Sequence, residues 1–194
     1  MWIALLILVV AVALVLAGCK TTRAGYESAP YRVVRSNGNI EIRDYPALTM
    51  VETPMGSSGH GADGSFNRLF RFITGGNDAK QKIAMTTPVL MSGSGTNALM
   101  AFVMPAKLKS GDVPKPKDDQ VRVRELESGR FAVLRYSGGR NPDNEAQSHG
   151  RLRAWMKAGG LRELSPPIYG YFDPPWTPAF LRRNEVMVRT EPGA

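Results

Sequence analysis

The sequence predicts an α+β fold: a duplicated ββαββ unit around a mainly antiparallel sheet. Three observations carry this. Short apolar runs, several of them alternating with polar residues, are bounded by turn residues, as strands require. Two other stretches place apolar residues at helical spacing, each closed by a glycine pair, Gly75-Gly76 and Gly159-Gly160. The order strand, strand, helix, strand, strand then occurs twice along the chain.

In the first half, Tyr31–Arg35 and Ile40–Tyr45 flank Ser36-Asn37-Gly38-Asn39 and read as a hairpin, Asn-Gly being the strongest short turn signal. Pro46 interrupts, and 47–53 continues as a strand. A glycine-containing loop, 54–64, leads to a helix from Ser65, the expected N-cap, to about Thr74. Its Phe66, Leu69, Phe70 and Ile73 form the expected core stripe, with Arg68 opposite, Asn67 and Arg71 on one flank and Phe72 on the other. Residues 82–91 read as a buried strand in which Pro88, lacking an amide proton, marks an edge or a bulge. Residues 98–104 return as its partner. The second half offers strands at 121–126 and 130–136, a helix at 144–158 with Ala146, Leu152, Trp155 and Met156 on one face, and closing strands at 167–172 and 184–189.

The 194 residues suffice for one domain with a sizeable core. A net charge of +8 and a pI of about 9.9 favour anionic partners: acidic lipids, a carboxylate-bearing ligand or nucleic acid. Lys107, Lys109, Lys115 and Lys117 read as a solvated face, not a nucleic-acid stripe. One cysteine excludes an internal disulfide, and two histidines form no His-rich metal centre unaided. No metal ligand is assigned.

Residues Trp2–Ala17 are an unbroken apolar run of 16, short against the ~20 of a membrane span. The run ends Leu16-Ala17-Gly18-Cys19, which resembles the lipobox of bacterial lipoproteins, although no basic residue precedes it. Residues 1–18 are therefore expected to be a signal peptide, Cys19 a lipidated first residue, 19–30 a tether and 31–190 the folded domain. Lys20, in place of an aspartate, suggests the outer membrane of a Gram-negative envelope, with the domain facing the periplasm.

Several blocks then resemble the SOUL haem-binding family: Ile40-Glu-Ile-Arg-Asp-Tyr-Pro46, Gly75-Gly-Asn77, Lys82-Ile-Ala-Met-Thr-Thr-Pro-Val89, Val103-Met-Pro105, Tyr171-Phe-Asp-Pro-Pro175 and Arg182-Arg-Asn-Glu-Val186. They occur in the family's order from about Tyr31 to Arg189. The resemblance implies a pseudo-symmetric, distorted antiparallel β-barrel with two helices. It also implies non-covalent, reversible binding of haem or another tetrapyrrole at an apolar surface cleft. Some members carry a histidine in Ile-Arg-His-Tyr, proposed as an axial ligand; Asp44 stands there, so histidine ligation at that position is excluded. Others use the flank of the first helix and the loop before Arg-Asn-Glu. The corresponding residues here are Asn67, Arg71 and Phe72, with Trp176 and Phe180. Aromatic rings would cover the porphyrin, and Arg71 would pair with a propionate.

Gly59–Gly64 satisfies G-x-G-x-x-G but lacks the parallel βαβ context of a dinucleotide site. No G-x-S-x-G, H-E-x-x-H or P-loop occurs. The chain therefore reads as a carrier or buffer, not an enzyme. The alternatives are a binding module for other amphipathic small molecules, as in related effector sensors, and chemistry in a cleft holding Glu185 and tyrosines. His149 reads as a partly buried structural residue, and Arg182–Glu185 as an internal pairing that pins the last strand.

Overall fold

The computed structural model describes residues 25–56 and 63–191. The apolar run, Cys19, the first part of the tether and the middle of the 54–64 loop lie outside the described residues. The strands are β1 (Glu27–Ser28), β2 (Arg32–Asn37), β3 (Ile40–Tyr45), β4 (Leu48–Pro54), β5 (Thr86–Thr87), β6 (Val89–Ser92), β7 (Leu99–Val103), β8 (Arg122–Leu126), β9 (Gly129–Tyr136), β10 (Ile168–Tyr171) and β11 (Asn184–Thr190). The helices are α1 (Ser65–Ile73) and α2 (Pro142–Ala158). Glu27-Ser28 pairs with β5 and Ala29 is buried, so the folded domain takes in the last residues expected to be tether.

Nine strands form one sheet in the order β2-β3-β9-β11-β10-β6-β7-β4-β8, antiparallel throughout. The β2–β3 hairpin turns where the sequence signal places it, with Gly38 at φ +60 as the first central residue, a conformation glycine adopts without strain. The strands of the two sequence halves interlock, β9 pairing with β3 and β8 with β4. Tyr45, Phe131, Val133 and Met187 share one apolar cluster with Leu48, Met50, Leu90 and Val103. Since β3 and β4 stand near opposite ends of the strand order, the sheet must curl until this face packs on itself.

The curl does not close into the expected barrel. β2 and β8 remain as edges, β2 exposed along its whole length and β8 carrying Arg122, Arg124 and Glu125. Charged, exposed edges resist strand addition. The opposite face carries the helices. α1 packs Leu69, Phe72 and Ile73 against Val51 of β4 and Met100 and Phe102 of β7. α2 packs Leu152 and Met156 against Ala132 and Leu134 of β9 and Val186 and Val188 of β11. Burying each such large apolar side chain contributes about 1.5–3 kcal/mol.

Residues 82–91 do not form one strand. Pro88 divides β5, which pairs with β1, from β6, which joins the large sheet between β10 and β7. The proline acts as the expected interruption, and the segment before it is irregular.

Candidate functional site

α1 is held at both ends by its own sequence. Gly64, at φ +83, is the N-cap and Ser65 is already helical, so the expected serine cap is displaced by one residue. The buried Ser65 hydroxyl donates instead to Asp63 Oδ1 at 2.7 Å. At the other end, a Cβ on Gly76 would lie 2.7 Å from the Arg71 carbonyl oxygen, so no larger residue fits. Asn77, fully buried, donates from Nδ2 to the carbonyls of Phe72 (3.0 Å) and Gln81 (2.8 Å) and accepts from the Gln81 amide (2.9 Å). A buried amide satisfied on both sides is a strong local pin. Arg68 ties the helix to β4 by donating to Thr53 Oγ1 at 3.0 Å.

The helix is rotated relative to the expected stripe. Ser65, Leu69, Phe72 and Ile73 point inward, and Phe72 is core, only 2% exposed. Phe66 and Phe70 point outward, 38% and 45% exposed, their rings stacked at 5.9 Å and 15°. Phe66 also sets its edge toward Phe102, at 5.3 Å. Asn67 and Arg71 are exposed on the same outer surface. At about 100° per residue, Phe66, Phe70, Asn67 and Arg71 cover a continuous arc of roughly 140°. An exposed aromatic pair beside a cation offers a flat apolar platform with a charge at its rim.

Trp176 and Phe180 are the most exposed large apolar residues described, at 79% and 76%. Their loop is fixed from within. Arg182 donates to the Thr177 carbonyl at 2.7 Å and to the Pro175 carbonyl, and the Gly138 amide donates to the Ala179 carbonyl at 2.9 Å. That holds the loop at the end of β9, whereas α1 lies on β4 and β7. Among the described residues, no hydrogen bond or ring contact joins Trp176 or Phe180 to the α1 surface.

Asp44 is committed elsewhere. Arg130 Nε donates to it at 2.7 Å and Arg32 Nη2 at 2.6 Å. The Arg130 hydrogen bond and the two guanidinium charges hold its carboxyl below the usual range. Its neighbour Arg43, 1% exposed, pairs with Glu185 through two hydrogen bonds of 2.7 and 3.0 Å and stacks 4.1 Å from the centre of the Tyr31 ring. Burial opposes the Glu185 charge, but Arg43, and then Arg183 at 2.7 Å, outweigh it and keep the carboxylate ionised. Burial pushes the Tyr45 hydroxyl up to about 12, and Arg43 donates to it at 3.1 Å. Glu185 is thus the internal pin read from the sequence. The adjoining cavity, bounded by Tyr31, Tyr45, Leu90 and Met187, holds only about 20 Å³.

A roomier cavity of about 230 Å³ lies between the β6–β7 turn and the start of α2, with Met55, Met91, Tyr169 and Glu145 in its wall. Tyr171 donates to Glu145 Oε1, and Arg140 stands 3.9 Å from the same oxygen. Burial raises both Tyr171 and Tyr169. Glu185 has tyrosines beside it, as the sequence leads one to expect, in Tyr31 and Tyr45; a second such group, Tyr169 and Tyr171, gathers around Glu145.

Residues 26–189 match the SOUL heme-binding protein family. The chain belongs to that family. No functionally curated protein matches it closely in sequence. Among solved structures, it is similar to the EcmrR C-terminal domain, with 11% identity and a TM-score of 0.56 over 83% of this chain and 98% of that one. A hydrolase from Listeria innocua gives 10% identity and a TM-score of 0.56 over 81% and 94%. An uncharacterized conserved protein from the same organism gives 12% and 0.57 over 79% and 92%. At these identities the likeness is one of fold.

Several signature blocks of this SOUL domain are pins. Asn77 closes α1, Thr86 Oγ1 donates to the Val103 carbonyl at 2.6 Å, and Asn184 Nδ2 donates to the Gly138 carbonyl at 3.1 Å. They hold the fold together. For a tetrapyrrole, the outer face of α1 fits in kind, with stacked rings and the Arg71 cation. Asp44 does not serve as an iron ligand while two arginines hold it.

Proposed function

We propose that this SOUL protein binds haem or a related tetrapyrrole non-covalently and reversibly, as a carrier or buffer in the cell envelope. Family membership over residues 26–189 carries the reading. The α1 surface supports it: the Phe66–Phe70 stack would take the macrocycle face, and Arg71, with Asn67 beside it, a propionate. Phe72 supports that surface from beneath, and Trp176 and Phe180 offer a second aromatic surface on another side of the domain. The leader, residues 1–18, and acylation at Cys19 would tether the domain to the membrane, at the outer membrane facing the periplasm. Each buried acyl methylene would add about 0.8 kcal/mol to that anchoring. Binding without catalysis is favoured because Glu185, the carboxylate first considered for chemistry, is engaged by Arg43 and Arg183.

A second reading, a binding module for other amphipathic small molecules, is favoured by the cavity that joins Met55, Met91 and Tyr169 to the Glu145 carboxylate.

The test uses the full chain in neutral detergent, titrated with hemin against a detergent blank. Phe66→Ala, Phe70→Ala and Arg71→Ala are each expected to weaken a saturable Soret change about tenfold or more. Unchanged binding in all three would move the site off α1.

A further inference from the structure

A third cleft, separate from the α1 surface and the cavity beside Glu145, is lined by arginines. It spans about 640 Å³ between the end of β9, the first half of α2 and the residues entering β11. Arg135, Arg151, Arg182 and Arg183 line it, and no carboxylate does. Its α2 wall is a polar stripe, Asn144, Gln147, Ser148 and Arg151, at the i, i+3, i+4 and i+7 spacing of one helical face. A stripe of this kind needs no cleft opposite it; here it has one.

The charges in the cleft are unevenly compensated. Glu185 is bound by Arg43 and Arg183 and stands 3.6 Å from Arg135 Nε. Arg182 donates to the carbonyls of Thr177 and Pro175, which are neutral, so its charge is not cancelled. Arg151 is exposed and, among the described residues, its side chain makes no hydrogen bond or ion pair. Tyr136 also lines the cleft, 8% exposed, with its hydroxyl turned away toward Tyr171 and Glu145.

We infer that this cleft is a second binding site, for a multivalent oxyanion: a phosphate ester, free or as the headgroup of an anionic lipid. Arg135, Arg151 and Arg182 supply the charge, and Gln147 a neutral donor. Guanidinium forks match phosphate oxygens geometrically. The site stands independently of tetrapyrrole binding.

The test follows the side-chain Nε–H signals of the arginines by NMR, using the full chain in neutral detergent at 0.15 M salt. Inorganic pyrophosphate should shift the Arg151 and Arg135 signals saturably. Arg151→Gln should weaken binding about tenfold, equal to about 1.4 kcal/mol, and leave thermal unfolding and hemin titration unchanged. A saturable shift with phosphatidylglycerol added to the micelle, but none with pyrophosphate, supports the lipid-headgroup source. No saturable shift with either probe, or equal affinity in Arg151→Gln, overturns the proposal, whatever the result with hemin.

Discussion

Arg43 and Glu185, 142 residues apart in sequence, join β3 to β11 by a two-point ion pair, 1% and 3% exposed respectively. β9 lies between these strands, so the pair bridges across it. Removing one partner strands a buried charge, which costs about 3–5 kcal/mol, whereas replacing both with apolar residues is often neutral. Arg43→Met is therefore expected to lower stability in urea denaturation by about that amount. Arg43→Met with Glu185→Leu should recover more than half of the loss. A small effect of the single substitution would mean that Arg183 alone satisfies Glu185.

Phe72 and Phe70 separate the two faces of α1. Phe72→Ala opens the core beneath the helix and should cost about 3–5 kcal/mol by urea denaturation. Phe70→Ala, on the exposed face, should cost less than about 1 kcal/mol. Equal losses would contradict the rotation of α1.

His149 gives a pH signature. Burial, against the attraction of Glu163 at 3.9 Å, lowers its pKa below 6.5 in the folded chain. Below about pH 6.5 the unfolded chain takes up a proton that the folded chain resists. Stability from this group is thus complete above the unfolded value, falls as pH drops between the unfolded and folded values, and levels off below the folded one. The urea midpoint should be lower at pH 5.5 than at 7.5. His149→Gln should reduce that difference, and an unchanged difference would assign it to other groups.

Much of the fold was legible in the sequence because strand alternation, the Asn37-Gly38 turn and the glycine pairs closing both helices are local signals. Closure of the sheet was not, since it depends on whether the edges β2 and β8 meet, and no local pattern encodes that distance. On α1, Leu69 and Ile73 belong to both the expected and the observed stripe. A rotation of a few tens of degrees exchanges Phe72 for the Phe66–Phe70 pair. The missed signal was Ser65, whose small side chain fits the inward position at i, i+4, i+7 and i+8. The Arg43–Glu185 pairing was half visible: Glu185 was read as internally paired, but its buried partner lies too far along the chain for any pattern to name. The family resemblance rests on signature blocks, several of which are pins of the fold, so they name the family without tracing a ligand surface.

The most direct measurement of the central claim is titration of the full chain, in neutral detergent, with hemin and separately with metal-free protoporphyrin. A saturable Soret change at micromolar protein is expected for both, because the α1 platform offers rings and a cation without relying on an iron ligand. No saturable change with either, relative to detergent alone, would contradict it.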